Sequence, residues 1–118
     1  MYTPLHDFHG TLANPDYNLF YEAGTLILIC ATTKEGFASG DCCMAAQNLM
    51  LAAQSMGLGS CPIGLALPWF CHPTGKEELG IPDDYLPVLP IILGYPRECP
   101  VEPERQPPEV LRWIRRPA

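Results

Sequence analysis

The chain has 118 residues, 47% of them hydrophobic and 17% charged, with a formal net charge of -6. That composition excludes wholesale disorder, and the acidic balance excludes charge-driven binding to nucleic acid or to an anionic membrane. A single domain of this length buries roughly two-thirds of the surface its unfolded chain exposes. No basic region with an apolar core follows Met1, and no apolar run is long enough to span a bilayer, so a cytoplasmic protein is expected.

Residues 1–18 are rich in Pro, His, Asp and Gly and read as irregular. Residues 25–32, TLILICAT, form a continuous β-branched and apolar run, the pattern of a strand buried on both faces. A loop over 34–40 follows. The spacing then predicts a long helix from Asp41 to Met56, with Asp41 as N-cap and Gly57 as the left-handed residue that stops it. This helix carries almost no charge, and its apolar positions fall on two faces: Cys43, Ala46, Met50 and Ala53 on one, Ala45, Leu49, Ala52 and Met56 on the other. A helix apolar nearly all round is buried on several sides or shared with a partner. Gln47 and Asn48 read as buried hydrogen-bond formers on it.

Beyond the helix, residues 60–63 suit a short strand, and 65–73 read as irregular or weakly helical, with Trp69 and Phe70 as core residues or as pocket walls. Thr74 can cap a short helix over 76–79, with Glu77 and Glu78 in its first turn. Residues 87–96, PVLPIILGYP, form a second buried strand, in which Pro90 points to an edge or a bulge. A Pro-rich extended stretch leads to EVLRWIRR, read as one or two last helical turns, its arginines Arg112, Arg115 and Arg116 a solvated face. Strand–helix–strand order with few elements implies an α+β or α/β sandwich whose long helix needs more cover than one chain supplies, hence a second copy.

Six cysteines offer neither a disulfide framework nor a metal site: there is no C-x-x-C pair, and Cys71-His72 lacks the second pair that zinc requires. They read as small buried hydrophobes, with a nucleophilic Cys61 as the alternative. His6, His9 and His72 have no ligand spacing, and no metal is expected. Nothing in the chain forms a paired-carboxylate or His–nucleophile constellation, so no catalytic side chain is assigned.

Four segments in order, YNLFYEAGTLILICA, AAQNLMLAAQSMGLGSCPIG, LGIPDDYLPVLPIILGYP and PER, resemble the nitroreductase family of flavin enzymes over about residues 14–105. The resemblance implies a nitroreductase-like α+β fold, a single domain over 1–118, and a homodimer in which the long helix packs against its twin. It implies FMN at the subunit interface, and hydride transfer from NAD(P)H to nitro compounds, quinones or similar acceptors. The family presents backbone N–H groups to the reactive edge of the flavin from the segment that is Pro62, Ile63, Gly64 and Leu65 here. Its phosphate-pairing basic residue corresponds to Arg105, with Arg97 a nearby competitor. Two departures stand beside these matches. No arginine precedes Arg97, and the family's first, arginine- and serine-rich helix and its Ser-x-x-Asn loop have no counterpart, so Met1 falls near the start of the family's second third. Two readings follow: a flavoenzyme that holds FMN weakly, or a flavin-free dimeric remnant acting as a binding or regulatory protein.

Overall fold

The computed structural model describes residues 13–98 and 101–116; His6, His9 and Cys99 lie outside them. Three strands form one antiparallel sheet in the order β1, β3, β2: β1 is Thr25–Ala31, β2 Gly59–Pro62 and β3 Leu86–Gly94. Between them lie α1 (Ala38–Ser55), a 3-10 turn (Gly64–Ala66), α2 (Leu67–Cys71) and α3 (Pro73–Leu79). The class is α+β, one of the two that the element order left open.

Among the described residues β1 lies at the edge of the sheet, and its apolar run, which suggested burial on both faces, is only half covered; Leu26 is exposed and Ala31 alone is buried. The centre is β3. Pro90 sits in this middle strand, fully buried and opposite Leu28, which corrects its reading as an edge marker. The reason is directional. The N–H and C=O of a strand residue point to the same side, and the Pro90 carbonyl accepts the Ile63 N–H at 2.8 Å. The missing donor of Pro90 therefore faces the side where β2, whose last pair is Pro62 with Ile91, has already ended. A bulge does occur nearby, at Ile29/Cys30.

α1 begins three residues before Asp41. Phe37 occupies the cap position without a side-chain bond, its carbonyl accepting the Asp41 N–H at 2.8 Å, and Asp41 stabilises the first turn through the dipole instead. The helix end matches expectation. Gly57 has φ 75°, its N–H donates to Gln54 O, and Leu58 N–H donates to Ala53 O, the paired bonds of a Schellman stop. Cys42, Ala46 and Ala53 are buried and Leu49 and Met50 half-buried, a spacing of one helical stripe. Ala45, Ala52 and Met56 form a separate, exposed apolar face, Cys43 is exposed where Cys42 takes the inner position and Leu49 joins the inner stripe, and Gln47 and Asn48 are exposed, which corrects the buried amides.

Neighbouring residues of β3 point to opposite faces, so Ile91 and Ile92 divide between two layers. Ile92 packs with Ile63, Ala66 and Phe70, surrounded by Leu19, Phe20, Ala23 and Leu28. No α1 residue joins that cluster, yet α1 touches all three strands, so it covers the other face, over Ile91. Phe70 is thus core, while its neighbour Trp69 is exposed and stacks on His72 at 6.4 Å.

Residues 67–71 are helical because Pro68 falls in a first turn, where no N–H is needed. In α3 the cap is His72, whose Nδ1 accepts the Thr74 N–H at 3.3 Å, rather than Thr74, and Glu77 and Glu78 lie past the first turn. Lys76 Nζ donates to Asp83 O (3.0 Å) and Tyr85 O (2.6 Å), fastening the loop that leads into β3. Residues 101–116 have no regular structure, so the final helical turns are not formed. Among the described residues no helix is long and apolar enough to cross a membrane.

Candidate functional site

At one end of the sheet the strands present a row of glycines. Gly59 at the start of β2 pairs with Gly94 at the end of β3, and Gly24 directly precedes Thr25, whose partner is Leu93. Gly24, Gly94 and Gly59 therefore cross the sheet side by side and floor a cleft of about 800 Å3 with bare backbone. Its walls carry Tyr21, Glu22, Ser60, Cys61, Tyr95 and Arg97. Among the described residues lining the cleft, Arg97 is the one cation and Glu22 the one carboxylate, and they pair at 2.7 Å with both side chains well exposed.

The wall is built from strained backbone. Tyr21 and Glu22 both adopt left-handed conformations, φ 51° and 57°, which cost of order 1–3 kcal/mol each in residues with a side chain. Local bonds hold them there. Asn18 accepts the Phe20 N–H through Oδ1 (2.9 Å) and the Tyr21 N–H through its carbonyl (3.0 Å), while Phe20 O accepts the Ala23 N–H (2.9 Å). The Tyr21 and Tyr17 hydroxyls lie 3.1 Å apart. That hydrogen bond, with smaller contributions from burial and from the Tyr17 and Cys61 charges, raises the Tyr21 phenol above its ordinary 10.0.

The other end of β2 carries the segment singled out in the sequence. Pro62 closes the strand, and Ile63 is buried in the core with its N–H on Pro90 O. The bonds of the 3-10 turn start with Ala66 N–H to Ile63 O (3.0 Å) and Leu67 N–H to Gly64 O. The N–H groups of Gly64 and Leu65 precede those bonds, and both residues are exposed, so this turn offers two adjacent donors to a ligand. A Cβ at Gly64 would meet nothing within 4 Å, which leaves the approach to the backbone open. These donors suit the N and O acceptors along a flavin edge, so the residues present fit that end of the cofactor.

Arg105 stands on the exposed extended segment 101–116 and does not line the cleft; Arg97 does. Pro62, Ile63, Gly64 and Leu65 follow one another at the end of β2, and Arg105 stands on the extended segment. Tyr21, Glu22 and Tyr95 escaped sequence reading, because the αL pair and the glycine row arise only when three distant strand ends align. The one signal available was the glycine at each of those ends.

Cys30 is half-buried, Cys42 buried, and Cys43, Cys61 and Cys71 exposed, all as free thiols. This corrects the reading of the cysteines as uniformly buried. Burial, with smaller effects of Cys42 and Cys71 against Lys76, pushes the Cys30 thiol above its ordinary 9.0. Among the described residues no cluster of three His, Cys, Asp or Glu could hold a metal ion.

The family model described as "Nitroreductase family" matches residues 6–95. A candidate NADH dehydrogenase/NAD(P)H nitroreductase of Methanothermobacter thermautotrophicus is 37% identical over 84 residues, 67% of this chain and 44% of that protein. A chloronitrobenzene nitroreductase of Comamonas testosteroni is 46% identical over 50 residues, covering 42% of this chain and 21% of its own length. The crystal structure of an FMN-bound nitroreductase from Bacteroides fragilis superposes with TM-score 0.74 at 25% identity, over 95% of this chain and 62% of that one. The chain spans less than half the length of these two sequence relatives. With the family model running through every described strand and helix, the chain belongs to the nitroreductase family.

Proposed function

We propose that the chain is a cytoplasmic nitroreductase-type flavoprotein oxidoreductase, passing hydride from NAD(P)H through FMN to nitro compounds, quinones or similar acceptors. The observation that carries this reading is the exposed turn after β2, where among the described residues the N–H groups of Gly64 and Leu65 have no backbone partner, in a fold shared with an FMN-bound nitroreductase. Bound FMN would supply the redox chemistry. The protein's part is binding and orientation. Ile63 anchors the turn to the core, Pro62 fixes its entry from β2, and the two N–H groups stabilise negative charge at the flavin edge. No acid or base side chain is required of the chain. The names of the relatives, one an NAD(P)H nitroreductase and one acting on chloronitrobenzene, support the donor and acceptor classes.

The assembly we propose is a homodimer through the open face of α1. Met44 (62% exposed), Leu51 (59%) and Met56 (72%) lie there with Ala45 and Ala52 between them, an apolar surface that a second copy would cover. With Arg97 already paired to Glu22 at 2.7 Å, FMN should be held at about micromolar affinity and be lost in purification. Titration with FMN, read by quenching of flavin fluorescence, should saturate, and NAD(P)H oxidation with a nitroaromatic acceptor should depend on added FMN. A protein with no saturable flavin binding would be the colourless remnant instead.

A further inference from the structure

We infer that Pro90 is a positioning residue for the turn after β2. By withholding one backbone N–H it ends that strand at Pro62 and releases the Ile63 carbonyl to found the 3-10 turn that carries the Gly64 and Leu65 donors. What the turn binds rests on the flavin reading above. The register of the sheet leads to this role. Cys61 lies opposite Ile92 and Pro62 opposite Ile91, so the next rung sets Ile63 against Pro90. In an antiparallel ladder, rungs that exchange both hydrogen bonds alternate with rungs that exchange none. The Ile63 N–H donates to Pro90 O at 2.8 Å, so this rung is of the bonded kind. Its second bond would run from the N–H of residue 90 to the Ile63 carbonyl, and proline has no N–H to give.

The consequence is visible at Ile63. Its ψ is 72°, far from the roughly 135° of an antiparallel strand. That angle decides where the carbonyl points, and its oxygen accepts the Ala66 N–H at 3.0 Å, the first bond of the turn. Burial makes the extended alternative costly. Ile63 is 5% exposed and Pro90 is fully buried, so a carbonyl left facing the proline ring would find neither an N–H nor water. Any other residue at position 90 would offer that carbonyl a ladder bond in competition with Ala66. Gly64 and Leu65 would then continue the strand direction instead of leaving it. Pro90 thus acts through Ile63 and needs no contact with the ligand.

Pro90→Ala supplies the missing N–H. Amide hydrogen exchange of the intact chain, followed by NMR, should show a protected N–H at residue 90. Ala66 should exchange about tenfold faster relative to Ile63, a ratio that a global loss of stability does not move. Fluorescence titration should show FMN and riboflavin weakened alike, by about tenfold, because the turn meets the ring that both share. Pro90→Val, which adds the same N–H on a residue suited to strands, should behave as Pro90→Ala does. Leu28→Val is the packing control: it removes bulk opposite Pro90 without adding a donor, and should lower the melting temperature while leaving both affinities unchanged. An unprotected N–H at residue 90, or an Ala66 bond that persists in both variants, overturns the role of Pro90. Equal losses of affinity in Pro90→Ala and Leu28→Val overturn it as well, since packing alone would then explain them. Exchange that shifts as expected in a chain that binds neither flavin leaves Pro90 shaping the turn and overturns the flavin reading alone.

Discussion

Gly75 is buried at the crossing of α2 and α3, where a Cβ would collide with the Trp69 carbonyl oxygen and stand 3.0 Å from its carbon. Those are backbone atoms and cannot turn aside. Gly75→Ala should cost about 1–3 kcal/mol, seen as a lower urea midpoint with an unchanged slope. The need for glycine there was not legible, because it follows from two short helices packing and not from a turn or a positive φ. Gly57 was legible, since a helix stop is a local event. Cys30 adds a dependence on pH. Its thiol loses its proton less readily in the folded chain than in the unfolded one, so the unfolded state binds fewer protons once pH passes 9.0. Its contribution is complete below that pH and is lost as pH rises through the folded value. Thermal midpoints should fall on the alkaline side of 9.0, and Cys30→Ala should flatten that fall.

At the scale of elements, α1 separates two kinds of small apolar residue that the sequence could not tell apart. Ala53 is buried against the sheet and Leu51, two residues on the far side of it, is open. Ala53→Glu should unfold the chain, because an unpaired carboxylate would be desolvated. Leu51→Glu should leave the circular dichroism spectrum and melting intact while shifting sedimentation of the proposed dimer to monomer; a mutant that stays dimeric would place the interface elsewhere. The existence and order of the elements were readable from hydrophobic runs and from glycine and proline positions. Which strand is central was not. Pro90 argued for an edge on local grounds, and only the pairing with both neighbours, with β2 ending in time to spare its missing N–H, puts it in the middle. The same limit applied to the site. The turn at 62–65 is contiguous and could be named, whereas the cleft is assembled from three strand ends more than 30 residues apart.

Over the whole molecule, the radius of gyration is 18.1 Å against about 13 Å for a compact domain of 100 residues, and the long axis reaches 62 Å. Residues 101–116 extend into solvent and expose Leu111, Trp113 and Ile114. The sheet itself is equally open at one side. Among the described residues β1 has a strand on one flank only, and its outward edge is a row of unpaired peptide groups along TLILICA, a segment with no charge and no proline. Such an edge is a template for fibril growth, and among the described residues the register shift at Ile29/Cys30 opposes it. Agitated at high concentration, the protein should therefore form thioflavin-positive aggregates after a lag. Leu26→Lys, at an exposed position of that strand, should lengthen the lag severalfold with little change in melting temperature.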